Sequence, residues 1–470
     1  MKQYSSATLL IKSGTLVTPE GVLEADLLVQ GEHIKAIGHG LPVVDDTVVV
    51  DATGCYILPG LIDAHTHIAL DTGVYQTPDD WFIGTRAAAC GGVTTVVDFA
   101  TQFPGQTLRE AVEARLEEAR EAVIDYGFHV MVTDLPPGRE GELADLVNLG
   151  TPSMKLYTTY RPNYYADDAT VLRLMETCAD LGILPLVHCE NDALVTAQTE
   201  SLIAAGETGW RYHGRSRPAL AEQEAVQRVL FLAEAAGCPV HIVHCSTARS
   251  VALVMEARDN GQVASCETCP QYLLLDNTVY EGPEPWRYIL QPPLRHPDDP
   301  DRLWALVEAG AVDLIATDHC DYTLAQKTAD DDFTRTPGGL PGMETLLPLM
   351  YTYGVAEGFD SPQPRGRLTL PQLVALLSAN PSRIWGLWPR KGALLPGSDA
   401  DVVIYDPGPE VAISAEGLHH LAGYTPYEGL RVQGRVKATI SRGQIIYREG
   451  RFNGRKGRGR FVARGGVDEG

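Results

Sequence analysis

Residues 58–67 read LPGLIDAHTH, from Leu58 to His67. The segment grows out of the apolar run Tyr56-Ile57-Leu58 and crosses Pro59-Gly60. It then passes Leu61-Ile62 and ends in Asp63-Ala64-His65-Thr66-His67. A short apolar, β-prone run with a polar end reads as a buried strand delivering its tip into a site. Alternate residues of a strand share a face, so His65 and His67 point the same way. Two imidazoles on one face can hold a divalent metal. Two surface histidines beside a turn would show the same spacing, so the rest of the chain has to supply more ligands.

Downstream, the chain alternates strand and helix. Apolar runs at 57–63, 93–99, 128–134, 152–157, 183–188, 239–244, 262–267 and 313–318 read as strands. Between them lie helical patterns, such as Leu108 to Tyr126 with Val112, Leu116 and Val123 on one face. Thr170 to Leu181 and Glu222 to Ala236 read the same way, while 191–220 and 320–342 read as loops. This succession of βα units predicts a (β/α)8 TIM-like barrel over residues 57–387. The two ends differ from this middle. Residues 7–54 and the stretches 400–406, 436–440 and 444–447 are short alternating strands around turn glycines. We expect residues 1–56 and 388–470 to form one smaller, discontinuous β-sandwich domain.

Several of these strands end in a residue with metal chemistry. The first gives His65 and His67, the fourth carries Lys155, and the fifth and sixth end in His188 and His244. The eighth ends in Asp318. In a barrel the C-terminal strand ends line one site, so these groups can converge from across the chain. Histidine nitrogens and a carboxylate suit a divalent ion. Lysine inside an apolar strand is rarely buried without purpose. Beside cations its ammonium would lose its proton, and the neutral amine could take up carbon dioxide to form a bridging carbamate. Asp98, ending the second strand, is placed in the outer layer of the site, and Asp63 at the strand turn.

With 470 residues, 44% hydrophobic and 21% charged, the chain has ample material for a large core. No run approaches the ~18 apolar residues of a membrane helix, and no signal-peptide pattern opens the sequence. A net charge of −23 disfavours nucleic acid and anionic membranes as partners. The basic stretch from Arg451 to Arg464 reads as a solvated terminus. Nine cysteines, most beside apolar runs, fit reduced buried thiols and a cytoplasmic location better than a disulfide framework.

These residues carry a resemblance to the amidohydrolase superfamily, and within it to the D-hydantoinase and dihydropyrimidinase group. The likeness extends through Asp80-Trp81-Phe82, Gly91-Gly92, Lys155 with Tyr160 five residues on, and His188-Cys189-Glu190-Asn191. It continues through Tyr212-His213, Glu267-Thr268-Cys269-Pro270, Pro292-Pro293 and Pro389-Arg390-Lys391-Gly392. The resemblance implies two divalent ions, usually zinc. His65, His67 and Asp318 would hold one, His188 and His244 the other, with carboxylated Lys155 bridging both. A hydroxide between the ions would be the nucleophile, and Asp318 would carry its proton to the leaving nitrogen. Tyr160 would steady the oxyanion, and Tyr157, Gln291 and Gly338 would contact substrate. A homotetramer is the assembly the family implies. Two positions depart from the pattern: Gln291 stands where hydantoinases have serine, and Gly338 where they commonly have asparagine. Dihydroorotases place an arginine where this chain has Ala69, which argues against dihydroorotate. The expected substrate is therefore a neutral cyclic amide. An allantoinase is the alternative enzyme. A non-catalytic, dihydropyrimidinase-like interaction protein is disfavoured because all six ligand positions are filled.

Overall fold

The computed structural model describes residues 8–42, 46–357, 359 and 368–465. Two sheets organise it. The larger has eight strands, all parallel to their neighbours and paired in chain order. They are Leu61–Thr66, Val93–Thr101, Asp125–Met131, Ser153–Tyr157, Leu184–His188, Val240–Ile242, Ala264–Thr268 and Leu314–Ile315. A parallel bridge between Thr66 and His319, with the His67 amide donating to the His319 carbonyl at 2.7 Å, brings the last strand back to the first. This is the nearly closed barrel that the succession of strands and helices predicts.

The second sheet has nine strands and draws on both ends of the chain. Thr8–Thr18 and Gly21–Gln30 form an antiparallel pair, and Tyr56–Pro59 lies parallel to the first of them. Val402–Ala412 closes the join by pairing antiparallel with Tyr56–Pro59, Val402 facing Pro59. Leu9, Ile11, Leu16, Ile57, Ile404 and Ile440 pack its own small core.

The segment read as one strand, 57–63, is thus two, serving different sheets, with Gly60 at the handover. A Cβ on Gly60 would stand 2.1 Å from Thr94 Oγ1, so only glycine lets the backbone pass. The helix expected over 108–126 runs only from Leu108 to Glu118, opened by a Thr107/Glu110 capping box. The third strand starts early, at Asp125, because Tyr126 pairs with the C-terminal segment: its amide donates to the Arg460 carbonyl and its carbonyl accepts from the Val462 amide. That segment is only in part the solvated terminus its charge suggested: Arg451, Arg455, Lys456 and Arg460 are exposed, but its end is not. Arg464 is buried beneath the barrel, donating to the Phe128 carbonyl and to Ser153 Oγ at 2.7 Å. Nor is 191–220 all loop: Asn191 caps a helix over Asp192–Ala204, accepting from the Leu194 amide at 3.0 Å.

Inside the barrel, Ile62, Val97, Phe99, Leu186, Val243 and Leu314 fill the space between strands, with Trp385 below them. Trp385 sits edge-on to His129 and His241, at ring separations of 4.4 and 5.0 Å. This plug closes the base and leaves the C-terminal strand ends as the open face. No helix of the described residues is long and apolar enough to cross a membrane.

Candidate metal centre and active site

His65 leaves the first strand fully buried, and its Nε2 lies 3.2 Å from Asp318 Oδ1. His67 Nε2 reaches the same oxygen, also at 3.2 Å. Lys155 Nζ stands 3.3 Å from His65 Nε2. On the other flank His188 Nδ1 and His244 Nε2 face each other at 3.0 Å. All six residues line one cavity of about 410 Å³.

The outward nitrogens show which atoms are free to bind. His65 Nδ1 contacts the carboxylate of Glu267, and His188 Nε2 donates to Glu190 Oε2 at 2.7 Å. An ionised carboxylate only accepts, so each imidazole carries its proton outward and turns a lone pair to the centre. Glu267 also takes His241 Nε2 at 3.2 Å, and Glu190 is paired with buried Arg217. Burial opposes the charge on both carboxylates. His65 and His241 nevertheless hold Glu267, and Arg217 and His188 hold Glu190, well below the ordinary range. Burial lowers the pKa of His65, His188 and His244, keeping the imidazoles neutral, the form in which they ligate. Burial also pulls the Lys155 ammonium down to about 8. Burial alone would raise Asp318, but His65, His67 and Lys155 outweigh it and keep it an anion. Four imidazoles, one carboxylate and a readily deprotonated amine form a donor set suited to divalent ions.

Backbone geometry aims these groups. His244 (φ 38°), Asp318 (φ 51°) and Tyr160 (φ 75°) all adopt the left-handed region, as does Ala69 (φ 50°). Non-glycine residues do this rarely, and such strain gathers at functional sites. Asp63 clamps the first strand to the last, accepting from the Thr317 amide at 3.1 Å and Thr317 Oγ1 at 2.6 Å, beside Asp318. Burial pushes this carboxyl up to about 7. Asp98 accepts from Thr66 Oγ1 and the Ile68 amide, both at 2.8 Å, and pairs with Arg115. It therefore fixes the backbone on either side of His67.

Tyr157, Tyr160, Gln291 and Gly338 all line the cavity. Tyr160 is held between His188, 5.1 Å ring to ring, and the Arg217 guanidinium, 4.9 Å above its ring. Burial raises its phenol, so it remains a proton donor. The parts played by Glu190 and Glu267 were not read from the sequence. Glu190 could have been, since it lies two residues beyond His188. Glu267 lies next to the end of the seventh strand, where the strand-end rule applies.

With this geometry in place, three comparisons with known proteins agree. The sequence profile of the amidohydrolase family matches residues 56–446. The chain is 42% identical over 460 residues to a D-phenylhydantoinase of Escherichia coli K12, covering 97% of this chain and 98% of that one. It superposes on a dihydropyrimidinase from Brevibacillus agri NCHU1002 with a TM-score of 0.94 and 38% identity, over 98% of this chain and 100% of the other. A more distant match is the L-hydantoinase (dihydropyrimidinase) from Arthrobacter aurescens, at TM-score 0.88 and 29% identity over 97% and 99% of the two chains. The chain belongs to the amidohydrolase family.

Proposed function

We propose that this chain is a metal-dependent hydrolase that opens cyclic amide rings of the hydantoin and dihydropyrimidine type. The observation that carries the reading is the convergence of six ligand-type side chains on one cavity floor, with two imidazoles oriented by buried carboxylates. The names of its relatives, a D-phenylhydantoinase and a dihydropyrimidinase, point to the same chemistry.

His65, His67 and Asp318 would hold one ion in this reading, and His188 and His244 the second, with Lys155, once carboxylated, as a further ligand. When bound, two divalent ions, taken to be zinc, supply Lewis acidity to the carbonyl and a water acidic enough to attack near neutral pH. The residues do the remainder. Asp318, anionic and within reach of both His65 and His67, receives a proton at Oδ1 and returns it to the departing ring nitrogen. Tyr160 donates its phenolic hydrogen to the carbonyl oxygen as charge builds there. Tyr157 and Tyr160 wall the cavity and keep the ring beside Lys155.

The rest of the reading follows the family. Residues 1–56 with 388–470 are one unit and 57–387 the other. The enzyme works in the cytoplasm, in keeping with nine free, buried cysteines. It assembles as a homotetramer, for which Leu220 and Phe231, each 61% exposed and three turns apart on helix Ala219–Ala235, offer an apolar contact.

The test is a ring-opening panel of hydantoin, 5-substituted hydantoins, dihydrouracil, allantoin and dihydroorotate, run beside metal analysis. Hydantoins or dihydrouracil should be opened, with about two divalent ions bound per chain. His65→Ala should lose metal and turnover together. Dihydroorotate as the best substrate, or full turnover in a metal-free preparation, would end this reading.

A further inference from the structure

Gln291 and Gly338, the two positions where the chain departs from its family's pattern, meet across the cavity wall. A Cβ on Gly338 would stand 1.7 Å from Gln291 Oε1, 2.3 Å from its Cδ and 2.4 Å from its Nε2. The whole carboxamide therefore lies in the space a side chain at 338 would fill. Gly338 is not in the left-handed region, so its backbone does not demand glycine. The carboxamide of Gln291 does.

The wall that carries this pair is fixed in advance. Lys327, fully buried, donates from Nζ to the carbonyls of Ile289 (2.7 Å), Pro337 (2.9 Å) and Gly339 (3.1 Å). The Gly339 amide donates to the Ile289 carbonyl at 3.0 Å. Both flanks of the contact are stapled by groups whose hydrogen bonds are satisfied. Among the described residues, by contrast, none hydrogen-bonds the Gln291 carboxamide, although Gln291 lines the same cavity as Lys155 and Asp318.

A carboxamide offers one carbonyl acceptor and an adjacent N–H donor. A cyclic amide carries the complementary pair along one edge, because its ring holds N–H and C=O side by side. The two can join through a pair of parallel hydrogen bonds. We infer that Gln291, seated on Gly338, is a specificity-determining residue that pairs with an N–H/C=O edge of the ring away from the attacked carbonyl. The pair does the work of recognition as a unit: glycine at 338 makes room, and the longer side chain at 291 supplies the donor and acceptor. In hydantoin the matching edge is N1–H with the C2 carbonyl, leaving the C4 carbonyl for attack. This inference rests on the proposed ring-opening activity.

The experiment compares hydantoin with 1-methylhydantoin, which keeps the imide but lacks the N1 hydrogen, in the full metal-loaded enzyme. Gln291→Leu keeps the bulk and removes both polar atoms. It should raise KM for hydantoin on the order of tenfold to a hundredfold, the loss expected when a satisfied pair becomes unpaired. Its kcat should change by much less, and its metal content should stay at the wild-type value. For 1-methylhydantoin the wild-type KM should already be high, and the substitution should change it little. Gly338→Asn, which displaces the carboxamide, should raise the hydantoin KM by a similar factor and leave the KM for 1-methylhydantoin little changed. An unchanged hydantoin KM in Gln291→Leu would overturn the inference, as would equal losses for the two rings. If Gln291→Leu does not fold, Gln291→Met, unbranched and of similar length, decides the matter with the same two rings. A wild-type enzyme that opens no ring in the panel would instead defeat the proposed activity.

Discussion

At the scale of single residues, Tyr160 and Lys155 can be tested apart from each other. Tyr160 reaches the cavity in a left-handed backbone conformation, which costs of order 1–3 kcal/mol and persists only where the surroundings impose it. Its hydroxyl is its polar contribution, and its ring packs against His188. Tyr160→Phe keeps the ring and removes the donor. It should lower kcat about a hundredfold while bound metal is unchanged, as single-turnover kinetics with metal analysis would show. Normal turnover would remove Tyr160 from the mechanism. Lys155 is 1% exposed, with Phe99 and Tyr157 rings 5.1 and 5.4 Å from its Nζ. With its pKa brought down by burial to about 8, roughly a tenth is neutral amine at pH 7, the form that reacts with carbon dioxide. Lys155→Ala should be inactive and should recover partly when acetate or propionate is added to fill the bridge. Wild-type rates without such addition would dispose of the carbamate.

At the scale of strands and helices, the site depends on carboxylates that hold imidazoles from behind. Glu267 stands on the seventh strand between His65 and His241, and also accepts from the His244 amide at 3.2 Å. One carboxylate thus ties the first, sixth and seventh strands together. Glu267→Gln keeps the shape but offers only one acceptor oxygen, so it cannot serve both histidines. Metal affinity should fall about tenfold to a hundredfold, measured by competition with a chelator, with little change in the fold's circular dichroism. An unaltered affinity would show that strand packing alone orients His65. The same strands show how far the sequence could be read. The eight-strand order and the six ligand-type residues were legible because apolar runs ending in His, Lys or Asp repeat around the barrel. The split at Gly60 was not. Tyr56–Pro59 and Leu61–Thr66 are separated by Gly60 alone, and only tertiary pairing assigns them to different sheets. The early start of the third strand at Asp125 was hidden for a similar reason, since its partner segment lies more than three hundred residues downstream.

At the scale of the whole molecule, the barrel is held to the end-built sheet by a buried ionic clasp. Lys391 Nζ lies 2.5 Å from Asp125, 2.8 Å from Asp401 and 3.0 Å from Asp399, and Arg442 Nε lies 3.0 Å from Asp125. Asp125 opens the third barrel strand, whereas Arg442 follows Arg431–Ser441 of the other sheet. Charge counting along the sequence could not have revealed this, because Asp125 lies 266 residues before Lys391. Burial works against ionisation of Asp125, yet Lys391 and Arg442 outweigh it and hold the carboxyl below its ordinary 3.8. A depressed carboxyl contributes stability above 3.8 and loses it as pH falls below that value. Lys391 is displaced the other way: burial disfavours its charge, but Asp401, Asp125 and Asp399 raise it above 10.5, so its share is kept below 10.5 and lost as pH rises beyond it. Lys391→Met removes the cation and leaves three buried carboxylates, which should cost about 3–5 kcal/mol at pH 7. Without the ammonium those carboxylates prefer to be protonated, so the folded variant binds protons more tightly than its unfolded chain. Its deficit against the wild type should therefore shrink as pH is lowered from 7 toward about 4. Thermal denaturation of both proteins across that range tests the sign: a deficit independent of pH would mean that lost packing, not unpaired charge, separates them.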